Sequence, residues 1–160
     1  MKILIISDTH RKNEIIPDII SAEAPIDMLI HCGDIEGDIN LLLPDAPFPI
    51  QIVGGNMDRF YSYDSESVFK LGYYTVYLTH GHLMDVLHTN QQIKVAANKV
   101  YADILIYGHT HMSEIIQEDE LLIINPGSLT EPRQSGRQPS YAVLSIDDDT
   151  YEHECVIKYL

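Results

Sequence analysis

Basic residues are scarce in this chain: 10 Lys and Arg stand against 24 Asp and Glu, a formal net charge of -14. That imbalance argues against binding nucleic acid or an anionic membrane, which recruit proteins through clustered Lys and Arg. Cysteine is scarcer still. Cys32 and Cys155 show no CxxC spacing, which fits free thiols in a reducing compartment rather than a disulfide framework. No apolar run approaches the length of a membrane span, and the first, Ile3 to Ile6, is too short for a signal peptide. A soluble, cytoplasmic protein is expected. There is no internal repeat and no low-complexity segment. At 160 residues, 45% hydrophobic and 21% charged, residues 1–160 read as a single domain around one sizeable core.

What the chain does have is a set of five short apolar runs, each ending in polar residues of metal-ligand type. Ile3 to Ile6 leads to Asp8-Thr9-His10, and Met28 to Ile30 leads to Gly33-Asp34. Ile50 to Val53 leads to Gly55-Asn56-Met57-Asp58. Val76 to Leu78 leads to His80-Gly81-His82, and Ile104 to Ile106 leads to Gly108-His109-Thr110-His111. Short continuous apolar runs read as buried strands. In open α/β sheets, ligands gather beyond the carboxyl ends of the strands.

The periodicity predicts strands over Lys2–Ile6, 28–31, 50–53, 68–71, 74–79 and 103–107. Hairpins are expected over 113–117 with 121–124, and over 141–146 with 151–159. Helices are expected from about Ile15, with Pro17 in the first turn, and around Ile39 to Leu43. A third would carry the stripe Ile93, Ala96, Ala97 and Val100, opened by a Thr89/Gln92 capping box. Residues 61–67 read as an exposed loop and 130–140 as a mobile one. The first part alternates β and α and the second is more antiparallel, so the fold class is α/β (α+β): two packed sheets with helices outside.

Seven residues are candidate metal ligands: Asp8, His10, Asp34, Asn56, His80, His109 and His111. In an extended backbone, Asp8 and His10 would leave on the same side with Cα atoms roughly 6–7 Å apart. Seven donors exceed one tetrahedral ion and suit two ions about 3.5–4 Å apart that share a carboxylate. Imidazole, carboxylate and amide without thiolate suit Mn, Fe, Zn, Ni or Mg, and argue against a structural zinc site. Each doublet alone is an ordinary cap or turn; only their joint order points to a metal centre. Asp58 and Arg59 fix the Asn56 loop or form a weak surface ion pair. His31 reads as a packed histidine that orients a ligand. Cys32 reads as a small buried hydrophobe. Arg133 and Arg137 either attract a phosphate or are solvated loop charges.

In this order, Asp8-x-His10, Gly33-Asp34, Gly55-Asn56, His80-Gly81-His82 and Gly108-His109-x-His111 resemble the calcineurin-like metallophosphoesterase superfamily, and within it the compact phosphodiesterases of the YfcE type. The likeness runs from residue 2 to about 146 and includes Asn125-Pro126-Gly127-Ser128 with Pro132-Arg133. It implies a four-layer αββα sandwich. It also implies two divalent ions, manganese foremost, with Asp8, His10 and His111 on the first, Asn56, His80 and His109 on the second, and Asp34 bridging. The implied reaction is hydrolysis of a small phosphoester by hydroxide held between the metals, with Asp34 and Asn56 counted among the catalytic residues. A homo-oligomer is implied by the same similarity. Many members carry a histidine after Gly-Asn as leaving-group acid; here Met57 stands, and a thioether does no acid–base work. His82 and Asp58 are the candidate substitutes. The same fold also serves as a non-catalytic protein-binding scaffold of the Vps29 kind, which need not keep the ligand set.

Overall fold

Ten strands form two five-stranded sheets in the computed structural model, which covers residues 1–160. In the first, β1 (Lys2–Ile6), β2 (Met28–His31) and β3 (Ile50–Ile52) run parallel, with Ile3 opposite Met28 and Leu29 opposite Ile50. The last hairpin, β9 (Ser140–Ile146) and β10 (His153–Tyr159), returns to this sheet antiparallel to β1. In the second, β5 (Tyr74–Thr79), β6 (Ile104–Ile106) and β8 (Leu121–Pro126) are parallel. β4 (Glu66–Leu71) and β7 (Ser113–Glu118) close the edges antiparallel. Both sheets are thus mixed. The chain does not pass from a parallel half to an antiparallel half.

The two-residue period of a strand divides the apolar runs between layers. Ile3 and Ile5 of β1 face Val76, Leu78, Ile104, Ile106 and Ile124 across the space between the sheets. Leu4 and Ile6 point the other way, onto Ile16 and Ile19 of α1 (Ile15–Glu23) and Ile39 of α2 (Ile39–Leu42). On the outer face of the second sheet, Tyr77, Leu105 and Ile123 pack on Ile93 and Ala97 of α3 (Gln91–Lys99). The result is an αββα sandwich, and the near-continuous apolar runs reflect burial on both faces.

Three local expectations need correction. The stretch 61–67 is not all loop. β4 begins at Glu66, which pairs with Thr79 and whose Oε2 accepts the Tyr77 hydroxyl at 2.5 Å. The Thr89/Gln92 box does not form, because the N-cap of α3 is Asn90, one residue later, and carries no side-chain cap bond. Gln92 therefore sits at the second helical position rather than the third, out of capping-box register. The loop 130–140 is tied down in its first half, where Thr130 Oγ1 donates to the Asp8 and Thr9 carbonyls at 3.1 and 3.0 Å.

One buried group had no forewarning in the sequence. Glu23, at the end of α1, accepts from the Tyr141 hydroxyl at 2.8 Å and lies 2.9 Å from Lys2 Nζ and 2.7 Å from Lys158 Nζ. It ties α1 to β1, β9 and β10. Burial opposes its charge, but the Lys158, Lys2 and Tyr141 donors outweigh burial and hold its pKa down at about 2.

Candidate metal centre

The turns beyond β1, β2 and β6 meet at one end of the sandwich, and their ligand-type residues share an uncommon backbone. Asp8, His10, Asp34, His109 and His111 all have positive φ, between 44° and 67°. The extended geometry expected for Asp8-x-His10 does not persist past β1; left-handed turns aim the side chains instead. Positive φ is unfavourable for residues with a Cβ and is kept only where surrounding structure over-determines it. Here the Asp8 N–H donates to Gly33 O at 3.1 Å and the His10 N–H to Asp34 O at 3.0 Å. Asn125 Nδ2 donates to Gly108 O at 3.0 Å, and Ser128 Oγ donates to Asp8 O at 2.8 Å. These bonds give the Asn125–Ser128 segment its job: it buttresses two of the turns. The turns approach so closely that a Cβ on Gly55 would collide with the Asp34 carboxylate and stand 2.6 Å from the Asp34 amide nitrogen.

Each carboxylate is held by one oxygen and presents the other. Asp8 Oδ2 accepts from Ser7 Oγ at 2.5 Å and from the His109 amide at 3.1 Å, which leaves Oδ1 buried without a hydrogen-bond partner. Asp34 Oδ1 accepts from the Met57 amide at 2.7 Å, while Oδ2 lies 3.4 Å from His80 Nε2 and 3.9 Å from His10 Nε2. The imidazoles are anchored from behind in the same manner. Nδ1 of His80 meets Cys32 O at 2.7 Å, Nδ1 of His111 meets Glu131 O at 2.6 Å, and Nδ1 of His10 meets Glu36 Oε1 at 3.0 Å. A carbonyl or carboxylate oxygen only accepts, so in each neutral ring Nδ1 carries the proton and Nε2 is a lone pair.

Those lone pairs then face one another. Nε2 of His10 and His111 are 3.3 Å apart, with Asp8 Oδ1 3.1 Å from the latter. Asp8, His10 and His111 form one group of donors within 4.8 Å of one another, and Asp34, His80 and His109 form a second. Asn56 Oδ1 and His80 Nε2 are also buried without partners. Unpaired acceptors crowded in a buried site are costly unless a cation joins them. The donor set therefore fits divalent metal, and Asp34 Oδ2 stands between the groups. Burial opposes charge on His80 and His111, yet the neighbouring Asp34 and Asp8 outweigh it and raise both pKa values. Reciprocally, burial works against Asp34, but His80 and the Met57 amide hold it down at about 2. His109 is lowered to about 4, chiefly by burial and then by the His80 charge, which outweigh the opposing pull of Asp8 and Asp34.

The two candidate proton donors differ in placement. Asp58 is buried, and its carboxylate accepts three backbone N–H groups: Asp34 at 2.7 Å, Gly55 at 2.8 Å and Glu36 at 2.6 Å. Both oxygens are engaged as acceptors and neither is free to deliver a proton. With Arg59 Nε donating to Asn56 O at 3.1 Å, Asp58 fixes the Asn56 loop, and the two are not a surface ion pair. His82 sits beside the second donor group, its ring centroid 5.4 Å from that of His80 and 6.3 Å from that of His109, with Nδ1 buried without a partner; burial lowers its pKa. His31 makes no hydrogen bond to a ligand side chain. Its Nδ1 accepts the Gly33 amide at 3.1 Å and its Nε2 meets Thr9 Oγ1 at 3.2 Å, so it staples the first two turns. Burial lowers it to about 3 and keeps it neutral.

Above the donors opens a cavity of about 530 Å³, walled by Arg11, Glu36, Met57, Glu131 and Arg133 among others. Met57 is its sole apolar wall residue. Arg133 is anchored through its amide to His111 O at 2.9 Å, whereas Arg137 lies outside the cavity. Glu36 went unnoticed in the sequence; its only signal was a carboxylate two residues after Asp34.

These features define a candidate metal centre of the phosphoesterase type at the strand ends of an αββα sandwich. Residues 1–149 match the model of the calcineurin-like phosphoesterase superfamily domain, and the chain belongs to that superfamily. It is 36% identical to the probable metallophosphoesterase YsnB of Bacillus subtilis (strain 168), over 93% of this chain and 86% of that protein. The crystal structure of a conserved protein from Streptococcus pneumoniae TIGR4, described as a predicted phosphoesterase, superposes with a TM-score of 0.81. It is 30% identical and covers 99% of this chain and 96% of its own. Zinc-complexed Vps29 from Entamoeba histolytica shares the fold, with TM-score 0.78 at 22% identity over 99% of both chains. No helix is long and apolar enough to cross a membrane, and both cysteines are unpaired.

Proposed function

We propose that this protein is a metal-dependent phosphodiesterase or phosphatase acting on small phosphate esters at a two-cation centre. Asp8, His10 and His111 would hold one cation, Asn56, His80 and His109 the other, and Asp34 both. Bound there, divalent ions, manganese foremost, would supply Lewis-acid polarisation of the phosphoryl oxygen and a nucleophilic water at neutral pH. The chain's own residues do the rest. Backbone donors orient Asp8 and Asp34, the anchored Nδ1 protons of His10, His80 and His111 fix which nitrogen faces inward, and Arg133 in the cavity wall would meet the phosphate. The observation that carries the reading is the convergence of His10 and His111 Nε2, 3.3 Å apart, on the buried Asp8 Oδ1, which has no hydrogen-bond partner.

Met57 brings no proton to the leaving group, and Asp58, engaged by three backbone N–H groups, is poorly suited to bring one. Esters with good leaving groups, aryl phosphodiesters among them, are the favoured substrates. The protein-scaffold alternative rests on fold likeness alone, while a full donor set beneath an open pocket favours hydrolysis. A reducing, cytoplasmic setting belongs to the same reading. The test is hydrolysis of bis(p-nitrophenyl) phosphate by chelator-stripped protein resupplied with Mn2+. Turnover should appear on addition of metal and vanish in Asp34→Ala; a metal-loaded wild type that cleaves no phosphoester with any divalent ion would refute it.

A further inference from the structure

Three of the four candidate imidazole ligands are anchored at Nδ1, and only one of the three anchors is a side chain. His80 and His111 lean on the carbonyls of Cys32 and Glu131, whereas His10 leans on the carboxylate of Glu36 at 3.0 Å. Glu36 is itself held from several sides. Its amide donates to Asp58 Oδ1 at 2.6 Å, its carbonyl accepts the Tyr61 hydroxyl at 3.3 Å, and its φ is 50°. Its other oxygen accepts Arg11 Nε at 2.8 Å, and its side chain is only 9% exposed while that of Arg11 is 77% exposed. Metal-bound histidines commonly donate the second ring N–H to such a carboxylate, which fixes tautomer and ring orientation.

We infer that Glu36 is a positioning residue for the first cation site: through Nδ1 it turns the Nε2 lone pair of His10 onto Asp8 and His111, while Asp58 holds Glu36 in place. This rests on the metal reading above. It singles out one of the two sites, because the other rings have no side-chain anchor to lose. The bond to Arg11 is an exposed pair of little energetic weight, so the role belongs to the contact with His10.

The test is calorimetric titration of the chelator-stripped full-length protein with Mn2+ alone, beside thermal melting of the metal-free proteins. Wild type should bind two ions. Glu36→Ala should weaken one of the two by roughly 10- to 100-fold, the size seen when such supporting partners are removed. Glu36→Gln keeps an acceptor oxygen for Nδ1–H and should recover part of the loss. Arg11→Ala should bind both ions as wild type does. The metal-free melting temperatures of the Glu36 variants should stay close to wild type, which a purely structural role would not allow. Unchanged binding of both ions in the Glu36 variants overturns the inference and leaves the metal centre standing. Equal weakening by Arg11→Ala, or loss at both sites with a matching fall in metal-free melting, also overturns it. A wild type that binds no Mn2+ overturns the metal reading and this inference together.

Discussion

The amide of Met57 donates to Oδ1 of Asp34 at 2.7 Å, and this bond turns Oδ2 toward His80 and His10. The residue that brings no proton to the reaction thus positions the central carboxylate, and it does so through its backbone. Its thioether is free to serve as a pocket wall. Met57→Ala keeps the amide and should retain wild-type metal content, measured by elemental analysis of reconstituted protein. Any change should fall on KM for aryl substrates. Loss of metal would mean that the side chain, not the amide, holds Asp34.

Asp58 should matter for stability before it matters for chemistry. Asp58→Asn places an NH2 where backbone donors already point, so at least one buried N–H loses its acceptor. The expected loss is about 2–3 kcal/mol, read as a lower urea midpoint in the presence of chelator. A variant as stable as wild type would contradict the three-bond assignment.

Much of this was legible in the chain, and the parts that were not share a cause. β1, β2 and β5 fell where their apolar runs stand, because strands buried on both faces carry continuous Ile, Leu and Val. The seven donors stood out because each follows such a run. That Asp58 fixes the Asn56 loop was one of the two readings open in the sequence; its bonds to the Asp34 and Glu36 amides and the role of Glu36 were hidden because the partners are backbone amides and a ring nitrogen 22 to 26 residues away. The left-handed turns at Asp8 and His10 were hidden for the same reason: contacts from the Gly33–Asp34 and Asn125–Ser128 segments hold them in place, and no local propensity announces them. At α3 the error was one residue of register, the usual uncertainty at helix ends.

Glu23 makes stability pH-dependent at a place remote from the metal centre. Its carboxyl is held at about 2 in the folded protein against an ordinary 4.5. A depressed folded pKa contributes stability that is fully present above about pH 4.5 and is lost as pH falls toward 2. The shift corresponds to at most about 3 kcal/mol, less because Lys2 and Lys158 are partly exposed to solvent. In chelator, Glu23→Gln should be less stable than wild type at pH 7, and the gap should close between pH 4.5 and 2. A gap that persists at pH 2 would assign the loss to packing instead.

Arg133 and Arg137 are distinguished by place rather than type. Arg133 walls the cavity and Arg137 does not. Arg133→Ala should lower kcat/KM for a phosphodiester roughly 10- to 100-fold, the worth of one charge-assisted hydrogen bond. Arg137→Ala should leave it unchanged. Equal effects would place the phosphate elsewhere.

The most direct measurement is anomalous X-ray scattering from crystals grown with Mn2+, recorded near the manganese edge. The account expects two peaks, one among Asp8, His10 and His111 and one among Asn56, His80 and His109, with Asp34 Oδ2 touching both. No peak, or a single peak bound without Asp34, would contradict it.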